Sequence, residues 1–137
     1  MAKNIADPAL GAKVVGFTCC DIRHAPQNVL DGSDSTFWAT TGMFPQEITI
    51  DLGQVSTLVK MQLSGMSIRK LAMDKCDQDT PQRFDRVFEV DIDQRPMKLS
   101  QHTHVLQNIR ARFVRFVLLD GSEEFASLNR VQIFGSQ

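Results

Sequence analysis

The stretch QEITIDLG, residues 46–53, decides the fold class. Ile48, Ile50 and Leu52 alternate with Glu47, Thr49 and Asp51. A period of two puts the apolar side chains on one face of a strand and the polar ones on the other. The next run, TLVKMQLSG at residues 57–65, repeats the pattern, with Val59, Met61 and Leu63 set against Lys60, Gln62 and Ser64. Working outward, Ala12–Phe17, Ser67–Asp74, Phe84–Ile92, Thr103–Gln107, Ala111–Leu119 and Arg130–Phe134 read as further strands. The alternation in Phe84–Ile92 slips once, at Arg86–Val87. Ala111–Leu119 is apolar on both faces over much of its length, as a central strand covered on two sides should be.

Punctuation agrees with this parsing. Pro8, Pro26, Pro45, Pro81 and Pro96 all fall between the runs, where a missing amide donor weakens no ladder. Gly53, Gly65, Gly121 and Gly135 are read as run ends. The one short helical candidate is Pro26–Leu30, with proline in its first turn. These signals predict an all-β chain, an antiparallel jelly-roll sandwich of about eight strands.

Composition narrows the function classes. A chain of 137 residues predicts a single domain over 1–137. Its 15 basic and 16 acidic side chains leave a formal charge of −1, which argues against a nucleic-acid binder working by bulk charge. No run of about 18 apolar residues is present, so no helix is expected to insert in a membrane. MAKNIADPAL lacks the basic-then-apolar pattern of a secretory leader, which predicts an intracellular chain. Cys19, Cys20 and Cys76 give neither a disulfide framework nor zinc-knuckle spacing and read as reduced thiols partly buried on strands. His102 and His104 lie at i and i+2 on one strand face, either an exposed edge pair or two ligands of an incomplete zinc site. GxSxG, HExxH, GxxxxGK[ST] and GxGxxG are all missing, so the chain is expected not to be an enzyme.

The segment between the first strands is richer in chemistry. APQNVLDGSDSTFWATTGMFPQE, residues 25–47, holds the one tryptophan, Trp38, and a dense set of oxygen donors in Asn28, Asp31, Ser33, Asp34, Ser35 and Thr36. Calcium takes about six to eight such oxygens in a flexible loop. The spacing excludes an EF-hand, because counting from Asp31 puts Thr36 where glycine is needed and Gly42 where glutamate is needed. Spacing alone leaves two readings open: a calcium loop, or a polar turn in which Asp31 and Asp34 cap backbone amides.

Two resemblances attach to these residues. NVLDGSDSTFW, residues 28–38, resembles the loop of the galactose-binding-like, discoidin-type jelly-roll superfamily, many members of which hold a structural calcium there. The resemblance implies a carbonyl from Asn28, a carboxylate from Asp31, hydroxyl and carbonyl from Thr36, an added carbonyl from Ser33, and Trp38 as core beneath the loop. The closing strand departs from the pattern, since Asn129 and Arg130 stand where calcium-binding members add a glutamate carboxylate. More narrowly, TFWATTGMFPQE and EEFASLNRVQIFG, residues 36–47 and 123–135, resemble the family of twenty-five-kilodalton subunits of intraflagellar transport complex B. That likeness implies a subunit forming a heterodimer with a Rab-like small GTPase, in the cytoplasm and in cilia or flagella. Met43, Phe44 and Phe125 are the candidate partner anchors; the alternative is that Phe44 and Phe125 plug the end of the sandwich. The competing function on the same fold is a carbohydrate-binding module, for which no tyrosine and one core-bound tryptophan offer a poor stacking surface.

Overall fold

The structure, a computed structural model, describes residues 3–18, 25–31, 37–40, 44–92, 99–121 and 126–136. Eight strands follow one another: β1 (Lys3–Asn4), β2 (Lys13–Phe17), β3 (Trp38–Ala39), β4 (Gln46–Met66), β5 (Ile68–Cys76), β6 (Asp85–Asp91), β7 (Ser100–Gly121) and β8 (Ser127–Ser136). Every pairing among them is antiparallel, in the order β1-β8-β4-β7-β5-β6, with β2 added on β4 and β3 on β8. Two short 3₁₀ turns, Pro8–Leu10 and Pro26–Leu30, are the only helical turns among the described residues. The second is the short helix that the sequence predicts.

The two layers of the sandwich share their longest strands. The first half of β4 lies between β2 and the second half of β7, whose far edge carries β5 and then β6. The second half of β4 lies between the first half of β7 and β8. This corrects the sequence parsing at one place. QEITIDLG and TLVKMQLSG are not two strands ended by Gly53 but one strand, and Thr103–Gln107 joins Ala111–Leu119 in the same way. Both chains turn the corner together. Gly53, with a left-handed φ of 90°, lies in the β4–β7 register shift between Asp51 and Ser56, and Asn108, with one of 53°, lies in the next shift, between Leu58 and Lys60. Glycine, and to a lesser degree asparagine, tolerates that conformation, and the extra residues of a bulge bend the strand without ending its ladder.

A second bulge corrects one core residue. The register of β4 against both neighbours shifts between Leu58 and Lys60: against β8 Val59 is the extra residue, and against β7 it faces the three residues 106–108. Leu58, Met61 and Leu63 therefore fill the core, and Val59 is only half-buried. The slip noted at Arg86–Val87 is a bulge of the same kind, because Phe88 pairs with Met73 and Arg86 with Asp74. Ile48, Ile50, Leu52, Trp38, Phe116 and Ile133 are fully buried. The outer face of β7 is covered by arginines rather than a further layer: the Arg112 guanidinium stands 5.1 Å from the Phe113 ring and that of Arg115 4.2 Å from the Phe84 ring. Gly135 permits the close approach of β8 to β4, where a β-carbon would come within 2.2 Å of the Thr57 carbonyl oxygen.

Candidate functional site

The loop that the sequence singles out is built on the 3₁₀ turn Pro26–Leu30, whose buried Pro26, Val29 and Leu30 fasten it to the sandwich. Asn28 donates its amide to the Ala25 carbonyl at 3.0 Å and accepts from the Asp31 amide at 3.3 Å. Its side-chain Nδ2 donates to the Phe37 carbonyl at 3.1 Å, which ties the start of the loop to its end. Beyond Phe37, Trp38 and Ala39 pair with Leu128 and Ser127 of β8. Thr40 exchanges backbone and side-chain hydrogen bonds with Ala126, at 2.9 Å from its amide and 2.8 Å to its hydroxyl. Trp38 lies in the core, as the resemblance implies.

This geometry offers hard-cation ligands in part. The turn brings together the Asn28 carbonyl, which keeps a second lone pair, and Asp31, an exposed residue. Thr36, Ser33 and Asp34 lie outside the described residues, as do Met43, Phe125, Cys19 and Cys20. Among the described residues no group of three or more His, Cys, Asp or Glu gathers in metal-binding range. On the closing strand Ser127 donates to Asn129 Oδ1 at 3.0 Å, both buried, and Arg130 pairs in register with Ser64 of β4.

Other sequence-derived candidates sit as follows. Phe44 is half-buried against the core, and a β-carbon on Gly121 would come within 2.5 Å of its ring. Cys76 is a buried free thiol directed at the Thr80 carbonyl, 3.4 Å away. His102 and His104 are not the exposed pair expected, since both are half-buried and share a side of the sheet with the core residues Leu63 and Met61. The bend that carries β7 from one layer to the other leaves their segment at an edge but turns this face inward.

A feature that sequence reasoning missed lies on the outer face of the other layer. Val15 and Phe17 of β2 are 43% and 51% exposed, and with Pro81 and Phe84 they line a groove of about 230 Å³. Glu47 and Arg115 form its polar wall. Alternation in KVVGF does not reveal it, because β2 carries a bulge at Val15: Val14 pairs with Ile50 but Gly16 with Thr49 and Phe17 with Ile48. Beside the groove runs a ladder of charge. Asp74, its side chain 3% exposed, accepts from Arg115 at 2.9 and 3.0 Å and from Arg86, which also reaches Glu89 at 2.9 Å; Lys70 meets Glu89 at 3.3 Å. Near the corner, burial pushes the Asp51 carboxyl up. Hydrogen bonds from Arg112 and the Gly53 amide, with the charges of Arg112 and Lys13, outweigh it and hold the group below its ordinary 3.8.

The architecture and the loop together define the class: the F5/8 type C domain model matches residues 18–131. Among solved structures, the family 32 carbohydrate-binding module of Clostridium perfringens NanJ, determined with galactose, superposes with a TM-score of 0.81 at 16% identity, covering 98% of this chain and 99% of that one. Chitosan-binding module 1 from Paenibacillus sp. IK-5 gives 0.80 at 19%, covering 98% and 100%. These likenesses show the fold. Sequence narrows the family. The chain is 45% identical over 133 residues to intraflagellar transport protein 25 of Chlamydomonas reinhardtii, covering 97% of this chain and 70% of that protein. It is 31% identical over 125 residues to the Mus musculus homolog, covering 91% and 87%. The chain thus belongs to the intraflagellar transport protein 25 family.

Proposed function

We propose that the chain is a non-enzymatic subunit of intraflagellar transport complex B that forms a heterodimer with a Rab-like small GTPase and works in the cytoplasm and the cilium or flagellum. The observation that carries this reading is the 45% identity to the Chlamydomonas reinhardtii protein across 97% of the chain. The exposed apolar groove on β2 supports a protein partner, since a patch of Val15, Phe17 and Phe84 beside charged groups has the makings of an interface anchor. Affinity capture of the tagged full chain from flagellated cells tests it. Recovery of transport-complex subunits together with a small GTPase is expected. Retention on a galactose matrix with no such partner transfers the assignment to the carbohydrate-binding alternative.

The anchors are separable by mutation. Phe17 packs outside the core and Phe44 against it. Phe17→Ala is expected to weaken binding of the partner by about 2 kcal/mol if the ring is an anchor while leaving the melting temperature of the isolated chain unchanged. Phe44→Ala, with Met43 and Phe125 as its neighbours in the original set of anchors, lowers that melting temperature to the extent that the ring fills the end of the sandwich. Calorimetry on the pair and thermal melts on the subunit read the two effects independently.

The loop completes the reading as a structural calcium site with Asn28, Asp31 and Thr36 as ligands. The bond from Asn28 to the Phe37 carbonyl supports it, because closing the loop at its base lowers the entropy cost of gathering ligands. A cation that binds only the folded state adds about 2.7 kcal/mol at a hundredfold excess over Kd. The melting temperature is expected to fall on chelation, and Asp31→Ala to remove the difference. Identical melts with calcium and with chelator leave Asp31 as a cap and nothing more.

A further inference from the structure

The open side of the sandwich is closed by three rings. β6 ends one layer and the first half of β7 ends the other, and no ladder joins them there. Phe88 pairs with Met73, His104 with Met61 and His102 with Leu63, so all three rings face the interior. His104 stacks on Phe88 with centroids 3.9 Å apart and planes inclined by 21°. His102 follows at 6.1 Å from His104, and its Nε2 is buried with no hydrogen-bond partner. Beside them a cleft of about 390 Å³ runs along Val87, Val105, Leu106 and Ile109.

We propose that His102, together with the His104 ring stacked on Phe88, forms an acid-sensitive latch, and that protonation of His102 releases β6 from β7 and opens the interior along this cleft. Among the described residues the pair has no counter-charge. On β4 its neighbours are Met61 and Leu63, and on β5 the residue behind Phe88 is Met73. On β6, Arg86, Glu89 and Asp91 stand opposite Asp74, Ala72 and Lys70 on the outer face, and Asp85 stands opposite Lys75 at the strand's start. On β7 the alternate residues Gln101, Thr103, Val105 and Gln107 are uncharged. Among the described residues, then, no carboxylate meets an imidazolium formed here. Burial, and next the repulsion from His104, lower the proton affinity of His102 below the ordinary 6.5.

The direction of the pH dependence follows. Below about pH 6.5 the unfolded chain binds a proton at position 102 that the closed latch refuses, so stability is lost as pH falls and is level above that value. Each unit by which the affinity is depressed is a tenfold bias toward the open form once both forms are titrated.

The test compares the full chain with the His102→Leu/His104→Phe double variant, which keeps apolar bulk and the stack on Phe88 and retains His24. Hydrogen-exchange protection factors of β6 amides are expected to fall about tenfold or more between pH 7 and pH 5 in the natural chain, with β4 amides little changed. The double variant is expected to show no such fall. A second reading needs no variant: ring resonances of His102 followed by pH titration. Titration of His102 at or above 6.5, or the same pH dependence of β6 protection with and without the two histidines, overturns the latch.

Discussion

Trp38→Ala is expected to lower the unfolding free energy by about 3–5 kcal/mol, the range for truncating a fully buried large aromatic. Trp38 has no exposed surface and begins the short strand that pairs with Leu128 and Ser127. Its segment is held at both ends, by Asn28 at the Phe37 carbonyl and by Thr40 at Ala126. Such clamping limits the collapse that would otherwise refill the cavity, which places the loss toward the upper part of that range. Urea unfolding of natural and variant chains reads it directly. A loss below about 1 kcal/mol, typical of surface positions, would remove the tryptophan from its role as the floor of the loop.

Asp74→Ala should cost about 2–3 kcal/mol. Breaking a fully buried ion pair costs about 3–5 kcal/mol because a charge is left without its partner. Here the carboxylate is 3% exposed, but Arg115 and Arg86 are 29% and 45% exposed and recover some hydration once it is gone. Two guanidiniums converging on one vacated position still repel each other, and Arg115 loses the bond that sets it over Phe84. The Asp74→Ala/Arg115→Ala double variant should therefore lose less than the sum of the singles, a coupling that a double-mutant cycle measures. Arg69 and Asp120, 3.9 Å apart and 62% and 54% exposed, make the control, since pairs in water contribute less than about 1 kcal/mol. Equal losses at the two sites would show that burial does not set the value of the Asp74 cluster.

Much of this was legible in sequence because parity is a local property. Ile48, Ile50 and Leu52 announce which side of the strand is buried, and the slip at Arg86–Val87 announces a bulge. What parity cannot show is whether a break ends a strand or bends it. Gly53 looks like a terminator, yet β4 continues past it because β7 stays paired on either side of the bend, Asp51 with Phe113 and Ser56 with Ala111, a pairing between residues far apart in the chain. Val59 was misplaced for the same reason, since a bulge is defined against its partners. The inward turn of His102 and His104 depends on which layer the first half of β7 joins, a tertiary fact. The place of Trp38 in the core was legible through NVLDGSDSTFW, whereas the bond from Asn28 to Phe37 depends on a turn geometry that propensity does not specify. Phe17 was visible as a strand residue, but its exposure follows from β2 standing at the rim of its layer with β4 as its described partner.

The central claim is that this chain is one half of a stable pair. Co-expression of the full chain with the Rab-like small GTPase of the same organism, followed by size-exclusion chromatography with light scattering, tests it most directly. One particle containing a single copy of each chain, surviving dilution and weakened by Phe17→Ala, is the predicted result. Two separate monomer peaks at every concentration would contradict it.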